Sequence, residues 1–352
     1  MANTLKKINE SPVSTYRWLG VNECNIENRD FYEKKSQINR SIKNKGNVVF
    51  SEELLGVETQ ILPSQIPMGE SFRSYIDDNT NKVQVINIKE DTKEPMVFEY
   101  NLDKETYIER EKFILEEGVN GTFLFVQKGV GTHLGIREIH AKPGSTGKII
   151  KVNFLEKDSL DVFETIVKAE KGSKIEIIHI NLGSDVTVDN LNIHLEEEVE
   201  GSITGMYLAG NKDQLDMNYY LEHVGKNSSG DIDVKGVLDG EAQKIFRGTI
   251  DFKKGAKKAS GREHEEVMLL SDKVRNRAIP LILCTEDDVY GEHSASCGRI
   301  DEDKLFYLMS RGLSLEESKK MMIEGNFNPI LDKIEDQSIV DEIKSVIQRR
   351  VL

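Results

Sequence analysis

Cysteine is scarce. The chain of 352 residues carries three, Cys24, Cys284 and Cys297, an odd set with no CxxC spacing. That excludes a disulfide framework and a zinc knuckle, and it fits a reducing cytoplasm. Long apolar runs are missing as well. No stretch approaches the roughly 20 apolar residues of a membrane helix, and the opening MANTLKKINESPVSTYRWLG lacks the continuous apolar run of a signal peptide. Positive charge gathers nowhere: the formal net charge of -14 is spread through mixed-sign sequence, which argues against nucleic acid or an anionic membrane as a partner. Nucleotide and hydrolase signatures are absent too. GSTGK at 144–148 is too short for a phosphate loop, with Ile149 in place of the hydroxyl, and there is no GxSxG, HExxH or dinucleotide fingerprint.

What is present is a soluble globular composition, with 38% hydrophobic and 31% charged residues. Residues 1–118 read as a mixed region. RDFYEKKSQINRSI and TYIEREKFILEEG look helical, ILPSQIP is a loop, and VQVINI and MVFEY are strand-like. Residues 119–298 are a succession of short β-branched or aromatic runs bounded by Gly, Asp, Asn or Ser, with no room for crossover helices. Two architectures fit, an antiparallel sandwich or barrel and a parallel β-helix; irregular spacing and scarce hairpin signals lean towards the coil.

Residues 299–352 turn helical. Asp301 can cap a helix with Glu302 and Asp303 in its first turn and Leu305, Phe306, Leu308 and Met309 on its apolar side, closed by Arg311 and Gly312. Ser314 and Glu317 make a capping-box pattern before a second helix with Met322 and Ile323 apolar, and IVDEIKSVIQRRV makes a third.

Candidate chemistry concentrates in GEHSASCG. In an extended segment His293, Ala295 and Cys297 share one face while Glu292, Ser294 and Ser296 take the other. Imidazole and thiolate both suit iron, zinc or copper, but two donors do not complete a site, so a partner or distant residues must supply the rest. Cys284 ends the apolar run IPLILC and is expected in the core. Cys24 has no assigned role. His179, His194 and His223 fall in strand-like runs and are expected to be satisfied or solvated, and Glu196 to Glu198 form a solvated acidic turn.

Several ordered blocks resemble the SufB/SufD family of iron–sulfur cluster assembly proteins: KIFRGTIDF, with Phe246 and Gly248 at an F-x-G turn, then EEVMLLSDKVRNRAIPLILCTEDDVYGEH, then GRIDEDKLFYLMSRGLSLEESKKMMIEGNF. The resemblance spans about residues 200–327, and SPVSTYRWLG looks like the start of a SufD-type chain. It implies a right-handed parallel β-helix core between an N-terminal mixed region and a C-terminal helical region. It also implies a non-enzymatic scaffold that pairs with a SufB-like chain and docks the SufC ATPase through Leu305, Phe306, Leu308, Met309, Arg311, Met322 and Ile323. SufB-type members carry a functional cysteine at the place of Glu265 or its neighbour, and this chain has none in GREHEEVMLLSD. That departure favours a SufD-like role. His293 matches a family histidine implicated in cluster assembly at the scaffold interface, and so becomes the candidate metal ligand, with Glu292 and Cys297 as neighbours. The resemblance implies no stably bound cofactor, a transient iron–sulfur cluster in the complex, and a cysteine desulfurase as an indirect partner. The alternative is a SufB-like homodimer with SufC, holding the nascent cluster on His293 and Cys297.

Overall fold

A computed structural model describes residues 3–29, 31–32, 40–46, 48–54, 68–80 and 82–350. Among them strand dominates, wound into a parallel β-solenoid of about 8 turns. In chain order the elements are β1 (Asn3–Ile8), β2 (Cys24–Arg29), β3 (Arg40–Lys43), β4 (Val48–Leu54), α1 (Gly69–Thr80), β5 (Lys82–Ile88), β6 (Met96–Leu115), β7 (Asn120–Ala141), β8 (Thr146–Leu155) and β9 (Leu160–Ala169). They continue with β10 (Lys174–Asn181), β11 (Val186–Leu195), β12 (Glu200–Ala209), β13 (Gln214–His223), β14 (Ser229–Leu238), β15 (Gln243–Phe252), β16 (Ala259–Leu269), β17 (Arg275–Cys284) and β18 (Val289–Arg299), then α2 (Glu302–Ser310), α3 (Leu315–Leu331) and α4 (Gln337–Arg350).

The coil has two walls that share β7. Its first half pairs with β8 and starts the wall β8-β10-β12-β14-β16-β18, while its second half pairs with β9 and starts β9-β11-β13-β15-β17. Parallel in-register pairing stacks like on like: Phe123, Ile149, Ile177, Ile203 and Ile232 form one inward column. Such columns explain the β-branched runs, because each side chain packs on the turns above and below it. The corners stack too. Gly144 and Gly172 adopt φ near 69° and 68°, a left-handed conformation that glycine takes without steric cost. Gly144 N–H donates to Lys171 O and Gly172 N–H to Glu197 O, so each corner is bonded to the next.

Both outer faces are covered by the rest of the chain. The β1–β2 hairpin and α1 bury Leu5, Ile8, Phe72 and Ile76 against Leu134, Ile136 and Val162 of one wall. Helices α3 and α4 bury Ile323, Phe327, Ile343 and Ile347 against Leu124, Ile150, Ile178 and Met206 of the other. A strand covered on both faces reads as a near-continuous buried run rather than a clean alternation.

That double cover accounts for the main misreading. TYIEREKFILEEG, expected as a helix, is for the most part the second half of β6, and its Glu109, Arg110 and Glu111 are buried. Arg137 donates to Glu111 at 2.9 Å and to Glu109 at 3.2 Å, and its guanidinium lies 3.4 Å from the centroid of the Phe125 ring. His133 sits between Glu109 at 3.2 Å and Asp161 at 3.1 Å, and Lys151 binds Asp161 at 2.7 Å. Charge in this segment therefore marks an internal ion-pair network. In RDFYEKKSQINRSI, the other expected helix, residues 40–43 form β3; residues 33–39 and ILPSQIP lie outside the described residues. Phe246 and Gly248, expected at a turn, lie inside β15.

Candidate functional site at the open end of the coil

Among the described residues nothing lies above the last turn. Strand order ends at β17 on one wall and β18 on the other, so both strands leave one edge unpaired. The inward face of β18 is exposed, and that of β17 is half-buried apart from the exposed Cys284.

On β18 the alternation is as expected. The inward columns run Ile232–Glu263–His293, Val234–Glu265–Ala295 and Gly236–Val267–Cys297. His293 and Cys297 share that face and both are exposed. At about 3.3 Å of rise per residue they stand about 13 Å apart along the strand, too far to ligate one ion. Glu292 points to the opposite face, where its carboxylate accepts from Tyr290 Oη at 2.6 Å. Among the described residues no three His, Cys, Asp or Glu side chains converge as a metal site. His293 therefore stands as a single donor on an exposed platform.

Cys284 corrects the expectation of a core position. It is exposed and donates to Glu286 O at 3.0 Å, because its inward column, Leu195–His223–Phe252–Cys284, ends with it. Cys24 opens β2 in the hairpin, half-buried, and burial pushes its thiol well up. His179, His194 and His223 each have a partner on Nδ1. His179 Nδ1 meets Asp189 at 3.0 Å, His194 Nδ1 meets Glu222 at 2.7 Å and His223 Nδ1 meets Ser228 Oγ at 2.8 Å, while burial pushes His223 down to about 4; the buried Nε2 atoms of His179 and His223 have no hydrogen-bond partner among the described residues. Glu197 lies at an exposed corner, paired with Lys171 at 3.1 Å.

Directly beneath the platform lies a polar cluster that the sequence did not mark. Glu265 accepts from Lys244 Nζ at 2.5 Å and from Tyr207 Oη at 3.3 Å, and all three are buried. Burial lowers the Lys244 ammonium, and the carboxylate opposes that shift. Glu263 is also buried, yet neither of its oxygens has a hydrogen-bond partner among the described residues. Gly248 makes room for it: a Cβ there would fall 2.7 Å from Glu263 Oε1. Burial, reinforced by Glu265, pushes the Glu263 carboxyl up to about 8.

A raised carboxyl makes folding less favourable as pH rises from the unfolded value of about 4.3 towards 8, since the unfolded chain ionises first. Glu263→Gln removes that penalty without changing the shape. The expected result is a variant matching the native chain near pH 4 and more stable than it by an increasing margin up to pH 8. Urea unfolding across that range checks this; equal stability of the two proteins at pH 8 would contradict it.

The helices divide into two groups. Asp301 caps α2 by accepting from Lys304 N at 3.0 Å, and Ser314 and Glu317 close the capping box of α3. Helix α2 buries none of its residues: Phe306 is 74% exposed, Tyr307 56% and Met309 42%, with Leu305 and Leu308 half-buried. Arg311 lies 5.2 Å from the centroid of the Tyr307 ring. Tyr307 extends the apolar face beyond the residues singled out from sequence. Ile323, expected on the same docking face, is instead fully buried against the chain's own wall, and Met322 is half-buried.

This solenoid with its helical tail matches, over residues 98–326, the SUF system FeS cluster assembly, SufBD core domain. The chain belongs to the SufBD family. An iron-sulfur cluster assembly protein SufD of Bacillus subtilis is 40% identical over 129 residues, covering 37% of this chain and 30% of that protein. SufBD family proteins of Mycobacterium leprae and Staphylococcus epidermidis are 27% and 26% identical over 246 and 257 residues, covering 67% and 70% of this chain and 28% and 55% of theirs. The chain thus spans about a third to a half of the curated relatives it matches. No helix among the described residues is long and apolar enough to cross a membrane.

Proposed function

We propose that this SufBD protein is a SufD-like, non-catalytic scaffold subunit of the SUF cluster assembly complex. A SufB-like chain would cover its open end, and a SufC-like ATPase would dock on α2. The observation that carries this reading is the uncapped last turn: two unpaired strand edges and an exposed inward face bearing His293. An open sheet edge is a ready template for a further strand, and a second coil would continue both walls. The SufD-like assignment draws on Glu265. At or next to the place where SufB-type members have a thiol, this chain holds a carboxylate locked in a buried ion pair with Lys244. The nascent cluster is cargo: His293 would offer one imidazole from this side, and the partner would supply the thiolate and remaining donors. We take the protein to work in the cytoplasm, a reading supported by its three free cysteines.

The homodimeric alternative has less support, because the separation of His293 and Cys297 along β18 denies it the ligand pair it requires. Coexpression with a SufB-like scaffold and a SufC-like ATPase, followed by iron and sulfide analysis, tests the reading. His293→Ala should leave the complex assembled but lower its iron and sulfide about tenfold or more, the order expected for loss of one metal-orienting group. Undiminished iron and sulfide in that variant would remove His293 from the site.

A further inference from the structure

A groove of about 280 Å³ runs along the outer wall, between the N-terminal segment at Gly20–Asn25 and the starts of β11, β13, β15 and β17. It lies to the side of the open end. Its floor includes Val186 and Ile245, both half-exposed. Gln243 and Arg275 are register neighbours on β15 and β17, and Arg277 follows two residues later, on the same outward face, about 6.6 Å along the strand.

The Arg275 side chain has no hydrogen bond or ion pair among the described residues, and Arg277 spends one N–H on Leu19 O at 2.8 Å. The other charges in the groove are largely committed. Asp216 is held by Arg247 at 2.6 Å, and Lys244 by Glu265 at 2.5 Å. Glu23, on the facing side, accepts among the described residues only a 3.3 Å bond from Asn25. Two guanidiniums with donors to spare against one loosely held carboxylate make this a locally cationic spot on a chain of net charge -14. Guanidinium forks match phosphate oxygens bidentately, and the volume is at the small end for a ligand site.

We propose that this groove binds a small phosphate monoester, with its phosphate between Arg275 and Arg277, its ester oxygen near Gln243, and its apolar part on Ile245 and Val186. Arg275 and Arg277 lie on β17, at the turn where the scaffold partner is proposed to attach, but on its outward face, so binding to the chain alone tests this site separately from the scaffold reading.

Titration calorimetry on the full chain tests it with three probes: phenyl phosphate, inorganic phosphate and benzoate. Phenyl phosphate should saturate at one per chain with a Kd below about 1 mM. Inorganic phosphate should bind more weakly for want of the apolar contact, and benzoate more weakly for want of the third oxygen. Arg275→Gln, at an exposed position, should weaken phenyl phosphate about tenfold or more. Glu23→Gln should strengthen it by about twofold at low salt, by removing a like charge. Arg262→Gln, a surface control paired with Asp231, should change nothing. Failure to saturate below about 10 mM, or an unchanged affinity in Arg275→Gln, overturns the site. Benzoate binding as tightly as phenyl phosphate overturns the phosphate assignment.

Discussion

Replacing Phe306 and Met309 by serine should abolish capture of a SufC-like ATPase while leaving this chain folded. Phe306, at 74%, is among the most exposed large apolar side chains of the described residues and Met309 is 42% exposed, both on a helix that buries no residue of its own. Their cost to the isolated chain is correspondingly small, within about 0.5 kcal/mol for exposed sites. An aromatic anchor at a protein interface contributes about 2 kcal/mol or more, so losing the ring and its neighbouring thioether should weaken association about a hundredfold or more. Affinity by surface-immobilised titration, with a thermal melt to show the fold intact, decides the matter. Unchanged affinity would move the ATPase contact elsewhere, and Tyr307, Leu315 and Met321, all exposed, would be the next candidates.

Arg137→Ala should destabilise the coil by about 3–5 kcal/mol, the usual consequence of removing one member of a buried ion-pair network. Its guanidinium is fully buried, binds Glu109 and Glu111, accompanies Tyr100 Oη at 3.3 Å and stacks between Phe125 and Phe163. Alanine would leave two carboxylates with less compensation and open a cavity among three aromatic rings. Arg137→Lys should recover only part of the loss, because an ammonium cannot stack or bond bidentately in that slot. The network also sets the acid limit. Burial by itself would raise the Glu109 carboxyl, but the His133 hydrogen bond and the charges of His133, Arg137 and Arg40 hold it at about 2. A depressed carboxylate stabilises the fold above its unfolded value of about 4.3, and that contribution is lost as pH falls from there towards 2. Urea midpoints between pH 7 and 3 should therefore fall for the native chain and fall less for Arg137→Ala. Parallel curves would show that Arg137 does not hold Glu109 ionised.

Much of the molecule is legible in its residues. The runs from GTFLFVQ to IPLILC are the strands of the coil, because stacked β-branched columns require that composition. Asp301 and the Ser314–Glu317 box state two helix starts directly, since capping is local chemistry. What stayed hidden depends on neighbours distant in sequence. TYIEREKFILEEG looked helical, whereas Arg40 and Arg137 both meet its Glu111, which is buried. Cys284 looked like a core residue because nothing in IPLILC says that no further turn will cover it. Coil and sandwich share one periodicity, so residue spacing left them open and only the ordered family blocks implied the coil. The platform of His293 was legible as an alternation, but the ion pair beneath it, Glu265 with Lys244, joins residues 21 positions apart on opposite walls.

The central claim is that the uncapped turn at β17 and β18 is where a second scaffold coil attaches. Native mass measurement of this chain coexpressed with a SufB-like scaffold tests it most directly, comparing the wild type with Ala295→Pro, which places a proline in the middle of the edge strand β18. The account predicts a one-to-one heterodimer for the wild type and separate chains for the variant. A wild-type chain that remains alone, or a heterodimer that survives Ala295→Pro unchanged, would contradict it.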